Sequence, residues 1–542
     1  MPQLTWVGKD KVKNHHHEVP FHLLDKIRDF QAAPGKPDNR RDNILIHGDN
    51  LLALKSLLPE FGGRVNCIYI DPPYNTGNEG WVYNDNVNDP RIQKWLGAVV
   101  GKEGEDLSRH DKWLCMMYPR LKLLKQLLAD DGVIFISIDD NEQAALKLVC
   151  DEIFGYGNFV ANFIWQHRKS SQNDTDVSLS HNHTLCFAKN RSRFKLNPLP
   201  ADESKFSNPD NDPRGAWVAD PMDAPNVREN LSYPITNPNT GKVFYPPKGR
   251  CWRFSEDKLQ AALADNRILF GKTGNSKPQY KRFLSEAQGK GQNPFTVWTH
   301  LNTATGATKE LMQIFGEKVF DTPKPTELVE YILTIAASPN AIILDSFTGS
   351  GTTAHAVLNL NKRDGGDRRF IGIEMMDYAE NITAERIRRV INGYGTKPET
   401  QQGTGGGFAF YRVGDALFDA ERNLNPAAPV ESVRRYIAYT EGLPASALPE
   451  HERPPENGEI QHKNPVSPYF LGMKDGVAYL FHYEPDRATD LSLDFLQSIR
   501  TEMLPEKPER WVIYADRTLL SQEQMKQLGI VFKRIPRDIS KL

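Results

Sequence analysis

Several features that mark other protein classes are missing from this chain of 542 residues. No apolar run approaches the length of about 18 residues that a membrane span requires, so a transmembrane helix is excluded. The opening residues, MPQLTWVGKDK, contain no hydrophobic signal core, which argues against secretion. The five cysteines lie far apart and form no CxxC pair, so neither a disulfide framework nor a zinc site is expected. These absences predict a soluble protein of a reducing, cytoplasmic compartment.

An excess of one charge sign is also missing, because 67 Lys and Arg stand against 69 Asp and Glu. This balance is not that of a disordered or histone-like protein. The distribution is nevertheless uneven, since residues 161–295 carry 20 basic and 13 acidic side chains and the rest of the chain is net acidic. This segment is also rich in Asn, Pro and Ser, with scattered aromatic residues. Such a surface suits contact with phosphates and bases, but a solvated insertion without a partner fits the charge equally well.

Short apolar runs that alternate with amphipathic stretches are present instead. Buried strands are predicted at 44–46, 65–70, 133–138, 341–344 and 370–373, and again in the tail at 477–481 and 511–515. Continuously apolar strands that alternate with helices predict an α/β fold, a doubly wound and mostly parallel sheet. The length predicts two or three domains. We expect an N-terminal arm at 1–40, one sheet half at 41–160, an insert at 161–295, a second half at 296–400 and a small α/β domain at 415–542.

A turn with two glycines joins a predicted strand to a predicted helix at residues 345–352, DSFTGSGT. Glycines at this position allow a ligand to approach the backbone at the carboxyl edge of a parallel sheet. Glu374 ends the next predicted strand, where a carboxylate can accept hydrogen bonds from ribose hydroxyls. The turn offers no basic residue for a pyrophosphate, so a nucleoside ligand without phosphates, such as S-adenosylmethionine, fits better than NAD. The alternative is a turn with a purely structural role.

A second motif, Asp71-Pro72-Pro73-Tyr74, follows another predicted strand. The prolines stiffen the turn and remove two N–H donors, which leaves carbonyl groups as acceptors. A carboxylate, a carbonyl and an aromatic face together suit a planar base with an exocyclic amine, because the acceptors take the amine hydrogens and Tyr74 stacks on the ring. Pro-Pro after a strand is commonly only a loop terminator. On the same sheet as a nucleoside-binding turn, it predicts a catalytic site.

DPPY placed before an FxGxG turn, with a long segment between them, resembles the β-class amino-methyltransferases of DNA. The loop DPPYNTG and the segments 302–306 and 319–325 look like the modification (Mod) subunit of type III restriction systems, as does the tail near 532–536. The resemblance covers residues 40–400 well and the tail loosely. It implies site-specific methyl transfer from S-adenosylmethionine to the exocyclic amine of adenine in duplex DNA, with the target base flipped out of the helix. It also implies a bacterial protein associated with the nucleoid.

The resemblance assigns roles to individual residues. Those implied for catalysis are Asp71, Pro72, Pro73 and Tyr74, and Asp in the first position favours adenine over cytosine. Those implied for the cofactor are Asp49, Lys324, Pro325, Asp345, Phe347, Gly349, Gly351, Thr352 and Glu374. Glu374 would hold the ribose, and Lys324 with Pro325 would line the methionine end. The resemblance further implies a homodimer and a restriction (Res) partner with helicase and nuclease activities.

Several patterns point to metal sites but lack support. The tract at 15–17, HHH, has no second cluster to complete a site. His181 and His183 alternate along an extended segment and are expected to share one surface. Asp139 and Asp140 follow a predicted strand, but methyl transfer from a sulfonium needs no metal and no acid–base pair. The sequence therefore predicts no metal ion.

Two other functions stay open at this stage. One is the same chemistry on RNA or on a protein glutamine, against which the long insert between the motifs argues. The other is a DNA-specificity subunit that keeps a methylase fold in order to position a nuclease, against which the intact motifs argue. An ATPase is not expected, because Asn266 stands where the phosphate loop before Gly271-Lys272-Thr273 would need glycine.

Overall fold

The computed structural model describes residues 3–76, 94, 97–98, 108–171, 176–443 and 466–537. The strands among these residues are β1 (His22–Gln31), β2 (Asn43–His47), β3 (Val65–Ile70), β4 (Leu128–Ile138), β5 (Phe159–Gln166), β6 (His181–Ala188), β7 (Trp217–Pro221), β8 (Asp223–Pro225), β9 (Ile235–Thr236), β10 (Val243–Phe244), β11 (Arg250–Trp252), β12 (Ile268–Leu269), β13 (Gln279–Phe283), β14 (Val297–Trp298), β15 (Ile342–Asp345), β16 (Arg369–Glu374), β17 (Gly407–Ala416), β18 (Phe470–Lys474), β19 (Val477–Phe481), β20 (Asp490–Leu491), β21 (Arg510–Ala515), β22 (Arg517–Thr518) and β23 (Ile530–Arg534). The α-helices are α1 (Lys9–Val12), α2 (His15–Glu18), α3 (Asn50–Phe61), α4 (Arg109–Leu127), α5 (Gln143–Cys150), α6 (Glu256–Ala264), α7 (Leu284–Lys290), α8 (Ala304–Phe315), α9 (Thr326–Ala336), α10 (Thr352–Asp364), α11 (Glu385–Asn392), α12 (Pro398–Gln401), α13 (Val430–Thr440), α14 (Leu493–Gln497) and α15 (Gln522–Gln527). None of these helices is long and apolar enough to span a bilayer.

A ten-stranded sheet organises the larger of two compact units, which comprises Met1–Lys195 and Phe295–Leu542. The strand order is β1-β17-β2-β16-β15-β3-β4-β6-β5-β14. The six strands from β17 to β4 are parallel to one another, whereas β1 and β6 run antiparallel to their neighbours. This arrangement, with helices between successive strands, confirms the predicted mostly parallel α/β sheet.

The core of this unit forms where apolar helix faces meet the sheet. In α3 the buried side chains Leu51, Leu54, Leu58 and Phe61 recur every three or four residues, which places them on one face of the helix. They belong to the same apolar cluster as Ile136 and other fully buried residues of the parallel strands. The strands predicted from apolar runs are therefore buried on both faces, as a parallel sheet requires.

Strands β3 and β15 are neighbours in the sheet, although more than 270 residues separate them in the chain. Ile343 pairs with Cys67 and Leu344 with Ile68, in parallel register. Each strand leads directly into one of the two motifs, so the DPPY turn and the glycine turn emerge side by side at the carboxyl edge. This is the edge at which ligands bind in open parallel sheets.

The smaller compact unit, Leu196–Pro294, begins later than the expected insert boundary at residue 161. Residues 159–166 and 181–188 form β5 and β6, which extend the large sheet beyond β4. Composition did not predict them because His, Asn and Thr interrupt their apolar residues. The basic excess of the expected insert is therefore shared between the two units. Residues 161–195 carry six basic and two acidic residues, and residues 196–294 carry 14 basic and 11 acidic residues.

The smaller unit has its own structure. A three-stranded sheet in the order β12-β13-β7 and two short antiparallel strand pairs surround a core of Met222, Ile235, Trp252, Leu259 and Phe270. Many of its charges pair with one another: Lys281 with Asp212 at 3.0 Å, Arg214 with Asp265 at 2.8 Å, Arg267 with Glu286 at 2.6 Å and Arg282 with Asp220 at 2.7 Å. With 14 basic and 11 acidic residues, the unit has a net charge of only +3, and these pairs place opposite charges side by side.

The N-terminal region contributes an edge strand and is more than an arm. Strand β1 pairs antiparallel with β17, which lies between β1 and β2 in the large sheet. The glycine-rich segment 403–407, GTGGG, leads into β17 and packs closely against the backbone of the N-terminal region. Gly405 has a left-handed φ of 70°, and a Cβ there would lie 1.8 Å from the carbonyl oxygen of Pro37. Only glycine fits at this position.

The C-terminal region folds around a four-stranded sheet in the order β18-β19-β21-β23. Strands β19 and β21 match the predicted strands of the tail. This region was expected to be a separate domain, but it belongs to the same compact unit as the large sheet. Helix α13 joins the two through an ion pair of 2.6 Å between Arg435 and Glu60 of α3.

Candidate active site

The DPPY turn presents a carboxylate and a phenol that contact each other. Asp71 follows β3 directly, and its side chain is 19% exposed. The Tyr74 hydroxyl donates to Asp71 Oδ1 at 2.9 Å, and Lys324 Nζ donates to Asp71 Oδ2 at 2.6 Å. Burial, together with the nearby Asp71 charge, raises the pKa of Tyr74 well above its usual value, so the hydroxyl stays protonated and remains a donor.

The two prolines of the turn are buried, and their carbonyl groups differ in hydrogen bonding. The Pro73 carbonyl accepts a hydrogen bond of 2.7 Å from the indole N–H of Trp113 in α4. Within the described residues nothing donates to the Pro72 carbonyl. Pro72 therefore retains an acceptor beside the Asp71 carboxylate, whereas Pro73 anchors the turn to the helix beneath it.

The glycine turn between β15 and α10 is organised by two buried carboxylates. Asp345, 3% exposed, accepts from the Phe347 N–H at 3.0 Å and from the Thr353 hydroxyl at 2.5 Å. Glu374, 5% exposed, accepts from the Gly349 N–H at 2.8 Å and therefore links the end of β16 to the turn. Gly349 and Gly351 have left-handed φ values of 53° and 87°, which explains why glycine stands at both positions.

Both carboxylates are perturbed by their surroundings. Burial raises the pKa of Asp345 to about 7, and hydrogen bonds from Thr353 and Phe347 partly oppose that effect. Burial likewise raises the pKa of Glu374 to about 7, against hydrogen bonds from Met376 and Gly349. Strongly perturbed acids at a sheet edge are typical of functional sites, although structural networks produce them too.

Lys324 and Pro325 lie between the two motifs. The Lys324 ammonium contacts Asp71 and lies 4.8 Å from the centre of the Tyr74 ring. Its carbonyl accepts from the Thr352 hydroxyl at 3.2 Å, and Pro325 caps the start of α9. The family resemblance implied only a role toward the cofactor for Lys324, but its side chain points to the DPPY turn.

Asp49 begins α3 at the same edge and acts first as a helix cap. Its carboxylate accepts from the backbone N–H groups of Leu51 and Leu52, at 2.7 and 3.4 Å. The buried Arg120 lies 3.7 Å from Asp49 and donates to Asn50 at 2.6 Å. The Asn50 amide in turn donates to the carbonyl of Ser346 in the glycine turn at 3.0 Å, so the start of α3 is tied to that turn.

Arg386, which sequence reasoning missed, is 1% exposed and braces the glycine turn. Its guanidinium donates to the Ser350 and Thr352 hydroxyls, both at 2.8 Å, and to the Thr326 hydroxyl at 3.1 Å. It therefore joins the starts of α9 and α10. Arg388 and Arg389 stand beside it in a charged stretch of α11, so nothing in the sequence marks Arg386 as the buried one.

A third group of polar residues lies at the end of β4 and the start of β6. Asp140, His181 and His183 bring ligand atoms within 4.8 Å of one another, a spacing that can hold a metal ion. His183 already hydrogen-bonds Asp140 at 2.9 Å through Nε2 and Asn162 at 2.9 Å through Nδ1. Both ring nitrogens of His183 therefore have partners, and the His181 ring lies 5.0 Å from the His183 ring, so the two histidines share one surface.

Comparison with known proteins extends this picture. A family model described as DNA methylase matches residues 65–385, which include both motifs. The StyLTI Mod subunit of a Salmonella typhimurium type III restriction-modification enzyme is 38% identical, over 88% of this chain and 74% of that subunit. The EcoPI Mod subunit of Escherichia phage P1 is 34% identical, over 68% of this chain and 63% of that subunit. The type II methyltransferase M.KpnI of Klebsiella pneumoniae is 33% identical, over 65% of this chain and 84% of that enzyme.

The mostly parallel sheet, the two motifs at its carboxyl edge and the family match define the class, which is that of the DNA methyltransferases. Sequence identity to the Mod subunits over most of the chain then places the protein more narrowly within this class. This chain belongs to the DNA methylase family and, within it, to the relatives of type III modification subunits.

Proposed function

We propose that the protein transfers a methyl group from S-adenosylmethionine to the exocyclic amine of adenine in duplex DNA. The observation that carries this proposal is the side-by-side placement of the DPPY turn and the glycine turn on β3 and β15. One turn offers acceptors for an amine and the other offers a carboxylate for ribose hydroxyls. Adenine is favoured over cytosine because Asp71 occupies the first position of the DPPY motif.

The glycine turn fits a nucleoside ligand. The Ser346 hydroxyl in this turn is buried and has no hydrogen-bond partner within the described residues. Glu374 offers further lone pairs beside its bond to Gly349, as ribose recognition requires. Asp345, Phe347, Gly351 and Thr352 complete the turn, and Asp49, Lys324 and Pro325 border it. When bound, the cofactor supplies a methyl group made electrophilic by its sulfonium.

The catalytic turn would act on the amine. Asp71 and the Pro72 carbonyl would each accept one amine hydrogen, which favours the pyramidal nitrogen whose lone pair can attack. Transfer would form a new N–C bond as the C–S bond of the cofactor breaks, and the extra proton would leave the nitrogen toward Asp71 or water. Both Asp71 oxygens already have a partner, but a carboxylate has about four acceptor directions, so an amine hydrogen can be added. Tyr74 would stack on the flipped base.

The smaller unit, Leu196–Pro294, would read the DNA sequence. Its segment 230–255 contains no Asp or Glu but four basic residues, Lys242, Lys248, Arg250 and Arg253. Tyr245, followed by two prolines, is 68% exposed in this segment. An acid-free stretch with an exposed aromatic ring suits contact with phosphates and bases. The basic residues of 161–195 would add phosphate contacts from the large sheet.

Partners are inferred from the type III relatives. We expect a homodimer in which one protomer can read DNA for the other, and a Res partner where a restriction system is complete. Sedimentation should give a dimer at micromolar concentration. A fully active monomer of about 61 kDa would remove the dimer from the proposal.

The direct test is incubation with tritiated S-adenosylmethionine and duplex DNA, RNA or protein. Label should enter DNA alone, and mass spectrometry of its nucleosides should show N6-methyladenine. Label in N4-methylcytosine would correct the target base, and label in RNA or protein would correct the substrate. Binding of DNA without any transfer would favour the specificity-subunit role.

A further inference from the structure

The residue that follows the catalytic turn has a constrained backbone. Asn75 has a left-handed φ of 59° and is 2% exposed. Its side-chain amide donates to the Glu142 carboxylate and, at 3.3 Å, to the carbonyl of Arg109. Asparagine adopts this conformation more readily than other residues with a Cβ, and at the buried Asn75 the surroundings hold it through these hydrogen bonds. The Asn75 amide is the group through which those surroundings act.

Glu142, at the start of α5, is a fully buried carboxylate with few partners. Its side chain is 0% exposed, Oε1 accepts from Asn75, and His110 Nδ1 lies 2.6 Å from the same oxygen. Oε2 is buried and has no hydrogen-bond partner within the described residues. Burial raises the pKa of Glu142, while the bonds from Asn75 and His110 lower it. A buried carboxylate left half-satisfied is costly and calls for an explanation.

The two ends of the catalytic turn are held by different parts of the fold. Trp113 of α4 donates to the Pro73 carbonyl, within the turn. Just beyond Tyr74, the amide of Asn75 is held by Glu142. Among the described residues no hydrogen bond or ion pair joins Glu142 to Asp71 or Tyr74, so Glu142 acts on them through the backbone of the turn.

We propose that Glu142 is the positioning residue of the catalytic turn, holding Asp71 and Tyr74 against the target amine through its hydrogen bond to Asn75. The inference rests on the catalytic roles proposed for Asp71 and Tyr74. A displacement of about 1 Å at reacting groups can cost about 100-fold in rate. The half-exposed His110 also holds the Glu142 oxygen that accepts from Asn75, with Nδ1 2.6 Å away.

The test measures methylation kinetics and melting temperature together. Glu142→Ala should lower kcat about 100-fold, with KM for DNA and for S-adenosylmethionine within about twofold of wild type. Glu142→Gln keeps an oxygen that accepts from the Asn75 amide and should recover kcat to within about tenfold. Asn75→Ala should match Glu142→Ala, and the double variant should be no worse than either, because the two residues act as a unit.

Glu330 provides a matched control away from the catalytic turn. It is also a largely buried carboxylate, accepting from the Asn359 amide at 2.8 Å and pairing with Arg363 at 2.9 Å. Burial raises its pKa, as it does for Glu142. Glu330→Ala should lower the melting temperature and leave kcat unchanged.

Two results would overturn the inference about Glu142. One is wild-type kcat in Glu142→Ala. The other is a loss of kcat that follows the loss of melting temperature in the proportion seen for Glu330→Ala. If wild-type protein methylates no DNA, or if Asp71→Ala keeps full activity, the proposed function fails instead. The two failures are therefore distinct.

Discussion

At the scale of single residues, Asp71 and Tyr74 share a hydrogen bond but should fail differently when replaced. Asp71→Ala should lower the methylation rate by about 100- to 1000-fold, since a preorganised polar contact contributes about 2.7–4 kcal/mol. DNA binding, measured by gel shift, should persist. Tyr74→Phe keeps the ring and should retain most activity, although it loses the bond to Asp71. Tyr74→Ala should lose the stacking energy, about 1–3 kcal/mol.

A mismatch opposite the target adenine separates the two roles further, because it lowers the cost of flipping the base. It should rescue Tyr74→Ala appreciably and Asp71→Ala hardly at all. Equal rescue of both variants, or a Tyr74→Phe variant as inactive as Tyr74→Ala, would contradict the assigned roles.

Glu374 should make the stability of the unliganded protein depend on pH. Its pKa is raised from 4.5 to about 7 in the folded state, so between these values the folded protein binds more protons than the unfolded chain. The free energy of unfolding therefore falls as pH rises from about 4 to about 7. Urea unfolding at pH 5 and at pH 7.5 measures the loss of unfolding free energy between these two pH values. This loss should be smaller for Glu374→Gln than for wild type. An unchanged loss would mean that Glu374 does not titrate there, and the loss that remains in Glu374→Gln would include Asp345.

At the scale of elements, Asp49 separates helix capping from ligand binding. Asp49→Asn keeps an oxygen for the first turn of α3, whereas Asp49→Ala removes the cap and should cost about 0.5–2 kcal/mol. Urea unfolding measures this difference, and calorimetry measures affinity for S-adenosylmethionine. If Asp49 also serves the cofactor, Asp49→Asn should weaken affinity without loss of stability. Unchanged affinity in both variants would leave capping as its role.

The elements that bear the two motifs could be predicted because they are continuously apolar. Strand β3 was predicted at its observed bounds, and β15 and β16 within one residue. Strand β1 was missed because it is an exposed edge, where charged residues such as Asp25 and Arg28 face solvent. Strands β5 and β6 were missed because polar residues interrupt them. For this reason the insert was predicted to begin at residue 161, whereas the smaller unit begins at Leu196.

Within the candidate site, the motif residues could be predicted but their supports could not. Asp71 and Glu374 stand at strand ends in recognisable motifs. Glu142, Trp113 and Arg386 act through contacts with residues 34 to 67 positions away in the chain. Local pattern carries no information about such contacts, because an acid at a strand end or an arginine in a helix is ordinary.

At the scale of the whole molecule, the boundaries of the smaller unit suggest an exchange experiment. Its ends meet at an antiparallel bridge between Leu199 and Gln292. Replacing Leu196–Pro294 with the corresponding unit of a related enzyme should change which DNA sequence is methylated, while affinity for S-adenosylmethionine stays the same. Modification-sensitive sequencing of cellular DNA reads the outcome. A folded, active hybrid that keeps the original sequence would place recognition elsewhere, with residues 161–195 as the next candidates.

Strand β1 can pair with β17 only after most of the chain has been synthesised. The ribosome releases β1 early, but its partner begins at Gly407, about 375 residues later. At about 5–20 residues per second, that interval lasts roughly 20 to 75 s. During this time β2 lacks the neighbour that separates it from β1, and an open strand edge invites pairing with other chains. Chains truncated before Gly407 are therefore expected to aggregate during translation. Complete chains contain β17 and can complete the large sheet, so they should stay dispersed. Sedimentation of the released chains distinguishes the two outcomes.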